Sequence, residues 1–207
     1  FSDEEILQLE KVHQALSIIQ FKLETQLIRR RPEFQMQDHI MLDKIDYWEE
    51  SITIDDIKHM LVNTCFQTIN PENPPALTPE ENQAVDSMLA SFQSSLKMAE
   101  HMSLLMNKGS MYKIYNQHLL FHGCIPLEPS GEFQPFILNQ AHYAGKELLD
   151  FFEYHIRQSA KNKEVGDDLS TDLIWYCWKG KLSPLFGKEK MTTLERYFIE
   201  DKDTHKE

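Results

Sequence analysis

The chain has 207 residues, with 33 acidic against 21 basic side chains and a formal charge of −12. That length holds one domain or at most two, and a composition of 41% apolar and 26% charged residues sets aside wholesale disorder. The acidic balance argues against a general nucleic-acid binder, which needs a net basic face, and no apolar run approaches the roughly 18 residues of a membrane span. Three widely spaced cysteines (Cys65, Cys124 and Cys177) with no CxxC pair fit a reduced compartment, the cytoplasm, better than a disulfide scaffold. A chain opening on Phe1 reads as processed or as a fragment. Only 7 glycines point to few tight turns and a helix-rich fold.

The first predicted element is a long helix. Ser2 with Glu5 makes a capping box. Leu9, Val12, Leu16, Ile19, Leu23 and Leu27 recur at spacings of three and four, which makes one apolar face. Arg29, Arg30 and Arg31 complement the negative end of the helix dipole, and Pro32 stops the helix because the residue before a proline disfavours helical geometry. Residues 45–54 read as a short hairpin, with a polar turn at Glu49 to Ser51. The run Asn70 to Pro75 holds three prolines and reads as a loop.

A second long helix is expected to open at Thr78, with Pro79 in its first turn and Glu81 as capping-box partner. Its predicted stripe is Val85, Met88, Leu89, Phe92, Leu96, Ala99, Met102 and Leu105, its methionines are expected to fill the core, and Gly109 is expected to be a left-handed stop. Residues 111–115 and 118–122 then read as a β-hairpin about the two-residue turn Asn116-Gln117. The run Leu119-Leu120-Phe121 suggests a second strand buried on both faces. Three more helices are expected, near 144–163, 168–179 and 188–202. The fold class is therefore α+β and helix-rich, with long helices and short β-hairpins. Residues 1–108 read as a helical lobe with a small hairpin, and 109–207 as the strand pair followed by helices.

His122 is the most informative residue for chemistry. A strand ending in His-Gly delivers an imidazole at a sheet edge, and Gly123 would let the backbone approach a ligand. On a strand, His118 and His122 stand about 13 Å apart, too far to share one metal. Asp203-Thr204-His205 and Gly166-Asp167 have the opening letters of metal motifs, but lack the preceding strand and the following acid those motifs require. No Ser-based elbow, Gly-rich phosphate loop or P-loop is present.

Other segments carry a resemblance. Gly109-Ser110-Met111-Tyr112, the run Leu119 to Leu127, and above all the run Ser183 to Ile199 with Asp201-Lys202 and Thr204 to Glu207 are similar to bacterial class III fructose-1,6-bisphosphatases. The N-terminal runs Ser17 to Glu24 and Arg30 to Phe34 resemble the same family, so the likeness covers essentially the whole chain. Those enzymes are longer and resemble calcineurin-like metallophosphoesterases, whose dimetal sites draw Asp, His and Asn from upstream D-x-H, G-D-x-x-D and G-N-H motifs. The central His-Gly of the family falls on His122-Gly123.

The resemblance implies an internal segment of a metallophosphoesterase-type fold with a helical insertion. It implies His122 as a ligand to a divalent metal pair, Mn²⁺, liganded mostly outside this segment. The substrate would be a small phosphorylated sugar, with Lys188, Lys190, Arg196 and the Arg29–Arg31 cluster as cations for its second phosphate. The partner would be the remainder of the same polypeptide, in a cytoplasmic enzyme of gluconeogenesis that can be oligomeric, and the isolated chain is expected to be inactive. The alternative from another class is a non-enzymatic helical interaction or regulatory module.

Overall fold

The structure, a computed structural model, describes residues 3–54, 56–62, 64, 66–161, 168–186 and 198. The described residues are α+β: five α-helices and small antiparallel sheets. The chain divides into two compact units, one of Phe1–Ser87 with Met191–Glu207 and the other of Met88–Lys190.

Helix α1 (Asp3–Arg30) opens the first unit. Pro32 ends it as expected, and residues Pro32–Phe34 turn into a short 3₁₀ segment. The apolar face is the expected one only in part, since Ile19 and Leu27 of the predicted stripe are buried. Leu9, Val12, Leu16 and Leu23 are exposed, whereas Ile18, Phe21, Lys22, Thr25 and Ile28 are buried at spacings of three and four. The reason is where the cover lies. Ile18 and Phe21 pack with Leu42, Ile45, Ile52, Leu61, Ile69 and Phe198, so the core is built on the second half of the helix.

The cover is a three-stranded sheet of β1 (Ile45–Asp46), β2 (Ser51–Ile54) and β3 (Ile57–Met60). The expected 45–54 hairpin is present, with Ile45 opposite Ile52. Its turn is held by Asp46, whose carboxylate accepts the amides of Trp48 and Glu49 at 2.9 Å each. These bonds hold the Asp46 carboxyl below its ordinary pKa. Strand β3 went unforeseen; Asp56 enters it with a left-handed backbone (φ 62°), which an aspartate tolerates better than most residues.

Helix α2 (Pro79–Ser94) starts at the expected capping box. The Thr78 amide donates to Glu81 at 2.8 Å, and the Glu81 amide donates to the Thr78 hydroxyl at 3.2 Å. The same Glu81 carboxylate accepts from Lys22 at 2.7 Å, and Lys22 also donates to the Thr68 carbonyl at 2.6 Å. The Lys22 side chain is fully buried, so this pair ties α1 to the start of α2 away from water.

The single second helix expected from the sequence is two. Ser95 breaks it with an extended backbone (ψ 107°) and caps α3 (Leu96–Lys108) by accepting the Met98 amide. The apolar stripe is not core here: Phe92 is 61% and Leu96 82% exposed, and Met88, Met98 and Met102 are exposed as well. Gly109 ends α3 in an extended rather than a left-handed conformation (φ −76°), with its amide on the Leu105 carbonyl.

The second unit continues with two hairpins, β4 (Tyr112–Tyr115) with β5 (His118–Phe121) and β6 (Phe136–Leu138) with β7 (Ala141–Tyr143). The second hairpin was not foreseen. Both turn on an Asn-Gln pair with positive φ at each residue, 48° and 64° in the first and 49° and 69° in the second. That is the mirror-image turn that matches strand twist. Helix α4 (Lys146–Ser159) packs on α5 (Leu169–Lys179) around an aromatic core. Phe136 lies 5.6 Å from Phe152 and 5.0 Å from Tyr176, and Phe152 stacks on Tyr176 at 5.9 Å. The expected third helix at 188–202 lies, except for the helical residue Phe198, outside the described residues.

Candidate functional site

The hairpin that carries His122 forms as expected. Tyr115 pairs with His118, Ile114 with Leu119, Lys113 with Leu120 and Tyr112 with Phe121. His122 is the first residue past β5 and is exposed. Among the described residues it has no hydrogen-bond or ion-pair partner. The expectation that β5 is buried on both faces is corrected: all four of its residues are exposed. Among the described residues nothing covers either face of this part of the ribbon.

Gly123 does allow a close approach, but to protein rather than to a ligand. A Cβ there would lie 2.2 Å from the Pro184 carbonyl oxygen and 2.5 Å from that of Leu185. The next amide, Cys124, donates to the Pro184 carbonyl at 3.1 Å, and the Cys124 thiol to the Ser183 carbonyl at 3.4 Å. Ser183 is itself buried. Its hydroxyl donates to the Cys177 carbonyl at 2.5 Å and accepts the amides of Leu185 and Phe186. The His-Gly corner is thereby clasped to a loop anchored at the end of α5.

The root of the hairpin is fixed by charges on α4. The Tyr112 hydroxyl donates to Asp150 at 3.0 Å, and Lys146 donates to the same carboxylate at 2.5 Å. Those bonds keep the Lys146 ammonium charged well above its usual range and hold the Asp150 carboxyl below its own. One and two turns further on, Glu153 accepts the Met111 amide at 3.0 Å and is bracketed by Arg157 at 2.8 and 3.0 Å. Arg157 also donates to the Met106 and Gly109 carbonyls, at 2.5 and 2.9 Å, which satisfies open carbonyls at the end of α3. The sequence reading passed over these residues, although Lys146/Asp150 and Glu153/Arg157 stand at the i, i+4 spacing of helical ion pairs.

Among the described residues of this unit, neither thiol is prepared as a nucleophile. Burial raises the Cys124 thiol above its ordinary pKa and pushes Cys177 and the Tyr176 hydroxyl each up to about 12. Burial also lowers His155, with the charge of Asp168 opposing it. The His155 Nδ1 is engaged with the Ser170 hydroxyl at 2.9 Å, which links α4 to α5. Among the described residues no three His, Cys, Asp or Glu side chains come together to hold a metal ion. The described residues of this segment therefore do not fit a metal pair by themselves.

Lys188, Lys190 and Arg196, expected to hold a phosphate, lie outside the described residues. So do the D-x-H look-alike at 203–205, Gly166-Asp167, and the cap residue Ser2. In the N-terminal cluster, Arg29 makes a two-pronged pair with Asp43 at 2.9 Å and Arg31 faces Glu33 at 3.6 Å, so both already have carboxylate partners. None of the described helices is long and apolar enough to cross a membrane.

The sequence model of the Firmicute fructose-1,6-bisphosphatases matches residues 1–207. The chain belongs to that family. Among curated bisphosphatases of this kind, a protein of Streptococcus sanguinis named fructose-1,6-bisphosphatase class 3 is 95% identical over the whole chain. Its namesake from Streptococcus gordonii is 82% identical over the whole chain, and that from Staphylococcus epidermidis 53% over 97% of it. The chain spans 32%, 32% and 31% of these three bisphosphatases, about a third of each. No solved structure matches.

Proposed function

We propose that this chain is the His-Gly-bearing segment of a longer metal-dependent phosphatase, which hydrolyses D-fructose 1,6-bisphosphate to fructose 6-phosphate and phosphate in gluconeogenesis. The observation that carries the reading is that relatives three times as long, matching from end to end of this chain, bear that enzyme's name. The presentation of His122 agrees with it: an imidazole at the end of a paired strand, uncovered and without a protein partner among the described residues. His122 is one donor to a divalent metal pair, with manganese the ion the resemblance implies; the remaining ligands come from the rest of the polypeptide. Lys188, Lys190 and Arg196 hold the phosphate that is not cleaved. Residues 1–108 serve as a helical insertion and residues 109–207 carry the strand pair, within a metallophosphoesterase-type fold in the cytoplasm.

The test is His122→Ala in the full-length protein, with bound metal, phosphate release and thermal midpoint measured together. Metal content should fall and kcat drop by roughly a hundredfold or more, the size of several kcal/mol of barrier. Stability should change by about 1 kcal/mol or less, as for other exposed positions. Unchanged metal and kcat with a collapsed midpoint would make His122 a structural histidine.

A further inference from the structure

The β4–β5 hairpin is incomplete as a sheet. In an antiparallel pair closed by a two-residue turn, hydrogen-bonded and non-bonded residue pairs alternate, starting with a bonded pair at the turn. Tyr115–His118 and Lys113–Leu120 are then the bonded pairs, while Ile114–Leu119 and Tyr112–Phe121 turn their amides and carbonyls outward. On β4 that outer edge is partly used: the Ser110 hydroxyl donates to the Tyr112 carbonyl at 2.6 Å. On β5 the outward groups of Leu119 and Phe121 have no partner among the described residues. The same residues, with Ile114, share one face of the ribbon, and Ile114 is 63%, Leu119 46% and Phe121 42% exposed. A free apolar edge of this kind attracts unwanted strand pairing unless it is covered, and a lone two-stranded hairpin is marginally stable.

We propose that in the full-length protein the outer edge of β5 pairs with an extended strand from the remaining two thirds of the polypeptide. The hairpin is thereby built into a larger sheet, with His122 at its rim. The occupant must be a strand because the unpaired groups are main-chain donors and acceptors at a period of two residues, which only extended backbone can match. It comes from the same polypeptide because the curated relatives carry about twice this length again outside the matched segment. This rests on the reading of the chain as a segment of the longer enzyme, and it adds how the segment is joined to the rest.

The experiment is residue-resolved amide hydrogen exchange on the full-length protein at several protein concentrations, with bound metal measured on the same sample. The amides of Leu119 and Phe121 should exchange on the order of 10²-fold or more slower than an open chain, as slowly as those of α4, and unchanged on dilution. Free exchange at both amides overturns the proposal. Protection that disappears on dilution, with a matching fall in molecular mass, also overturns it and assigns the edge to a second copy. Protection that persists after chelation supports strand pairing whatever becomes of the metal assignment. Protection lost on chelation overturns the claim that main-chain pairing holds the edge.

Discussion

The amide of Cys124 donates to the carbonyl of Pro184 at 3.1 Å, binding the corner after β5 to a loop far along the chain. The clasp is possible because position 123 has no Cβ. Alanine there would meet two carbonyl oxygens, at 2.2 and 2.5 Å, and backbone atoms cannot rotate out of the way. Gly123→Ala should destabilise the protein by about 1–3 kcal/mol, the range for overpacking a filled site. Urea unfolding checks it; a wild-type midpoint would mean that the corner and the loop are not in contact.

The buried Lys22–Glu81 pair supports a second prediction. Lys22→Met leaves Glu81 without its cation, and breaking one side of a buried pair costs about 3–5 kcal/mol. Adding Glu81→Gln should recover most of that, because the amide oxygen still accepts from Thr78 while no charge remains buried. A double-mutant cycle by chemical denaturation measures both steps. A loss in the double variant equal to the sum of the two single losses would show that the pair is not coupled.

The same pair sets an acid limit. Burial alone would raise the Glu81 carboxyl, but its bonds from Lys22, the Thr78 amide and Thr68 outweigh burial and hold it below its ordinary 4.5. A carboxyl lowered on folding contributes stability that is full above its unfolded pKa and is lost as pH falls through the folded one. The unfolding midpoint of the wild type should therefore fall more steeply below pH 4.5 than that of Glu81→Gln. Parallel curves would refute the assignment.

Gln117 adopts φ 64°, a region that disfavours residues carrying a side chain. Gln117→Gly should leave stability equal or raise it by up to about 1 kcal/mol, while Gln117→Val should lower it by about 1–2 kcal/mol. Gln140 occupies the same place in the β6–β7 turn, so the pair of substitutions there should repeat the pattern. Thermal midpoints of the four variants are the measurement. The reverse order at either site would indicate a different turn.

The isolated 207-residue chain should not release phosphate from fructose 1,6-bisphosphate in Mn²⁺ buffer, since its described residues assemble no metal site. Turnover proportional to protein and abolished by His122→Ala would place a complete site within these residues.

Local signals in the sequence read through well. The Thr78–Glu81 box, the stop at Pro32 and the Asn116-Gln117 turn depend on a few neighbouring residues, and all three form. Burial did not read through in the same way. Phe92, Leu96 and Leu119 carry the pattern of core residues yet stand in solvent, because periodicity records which face is apolar and not which part of a polypeptide covers it. Strand β3 was missed because Lys58 and His59 stand side by side and break alternation, and the β6–β7 hairpin because Phe136–Leu138 and Ala141–Tyr143 are too short to show it. For the candidate site, position was legible and surroundings were not. His122 could be placed at a strand end from local pattern, but the contact of Gly123 with Pro184 joins segments that no local window contains.

Phe198 is fully buried, with its ring 6.5 Å from Phe21 and 5.6 Å from Phe66, and its carbonyl accepts the Val62 amide at 2.8 Å. A residue near one end of this sequence thus completes a core begun near the other, with the whole second unit lying between them in the chain. During synthesis, at about 5–20 residues per second, Phe198 follows Phe66 by on the order of ten seconds. The second unit, contiguous in sequence, emerges complete within that interval, while Phe21 and Phe66 still lack their third ring. A ribosome stalled with Lys190 outside its exit tunnel and Phe198 still inside therefore carries a second unit free to fold and an open first one, and protease sensitivity of such nascent chains should concentrate in residues 3–69 until that phenylalanine emerges.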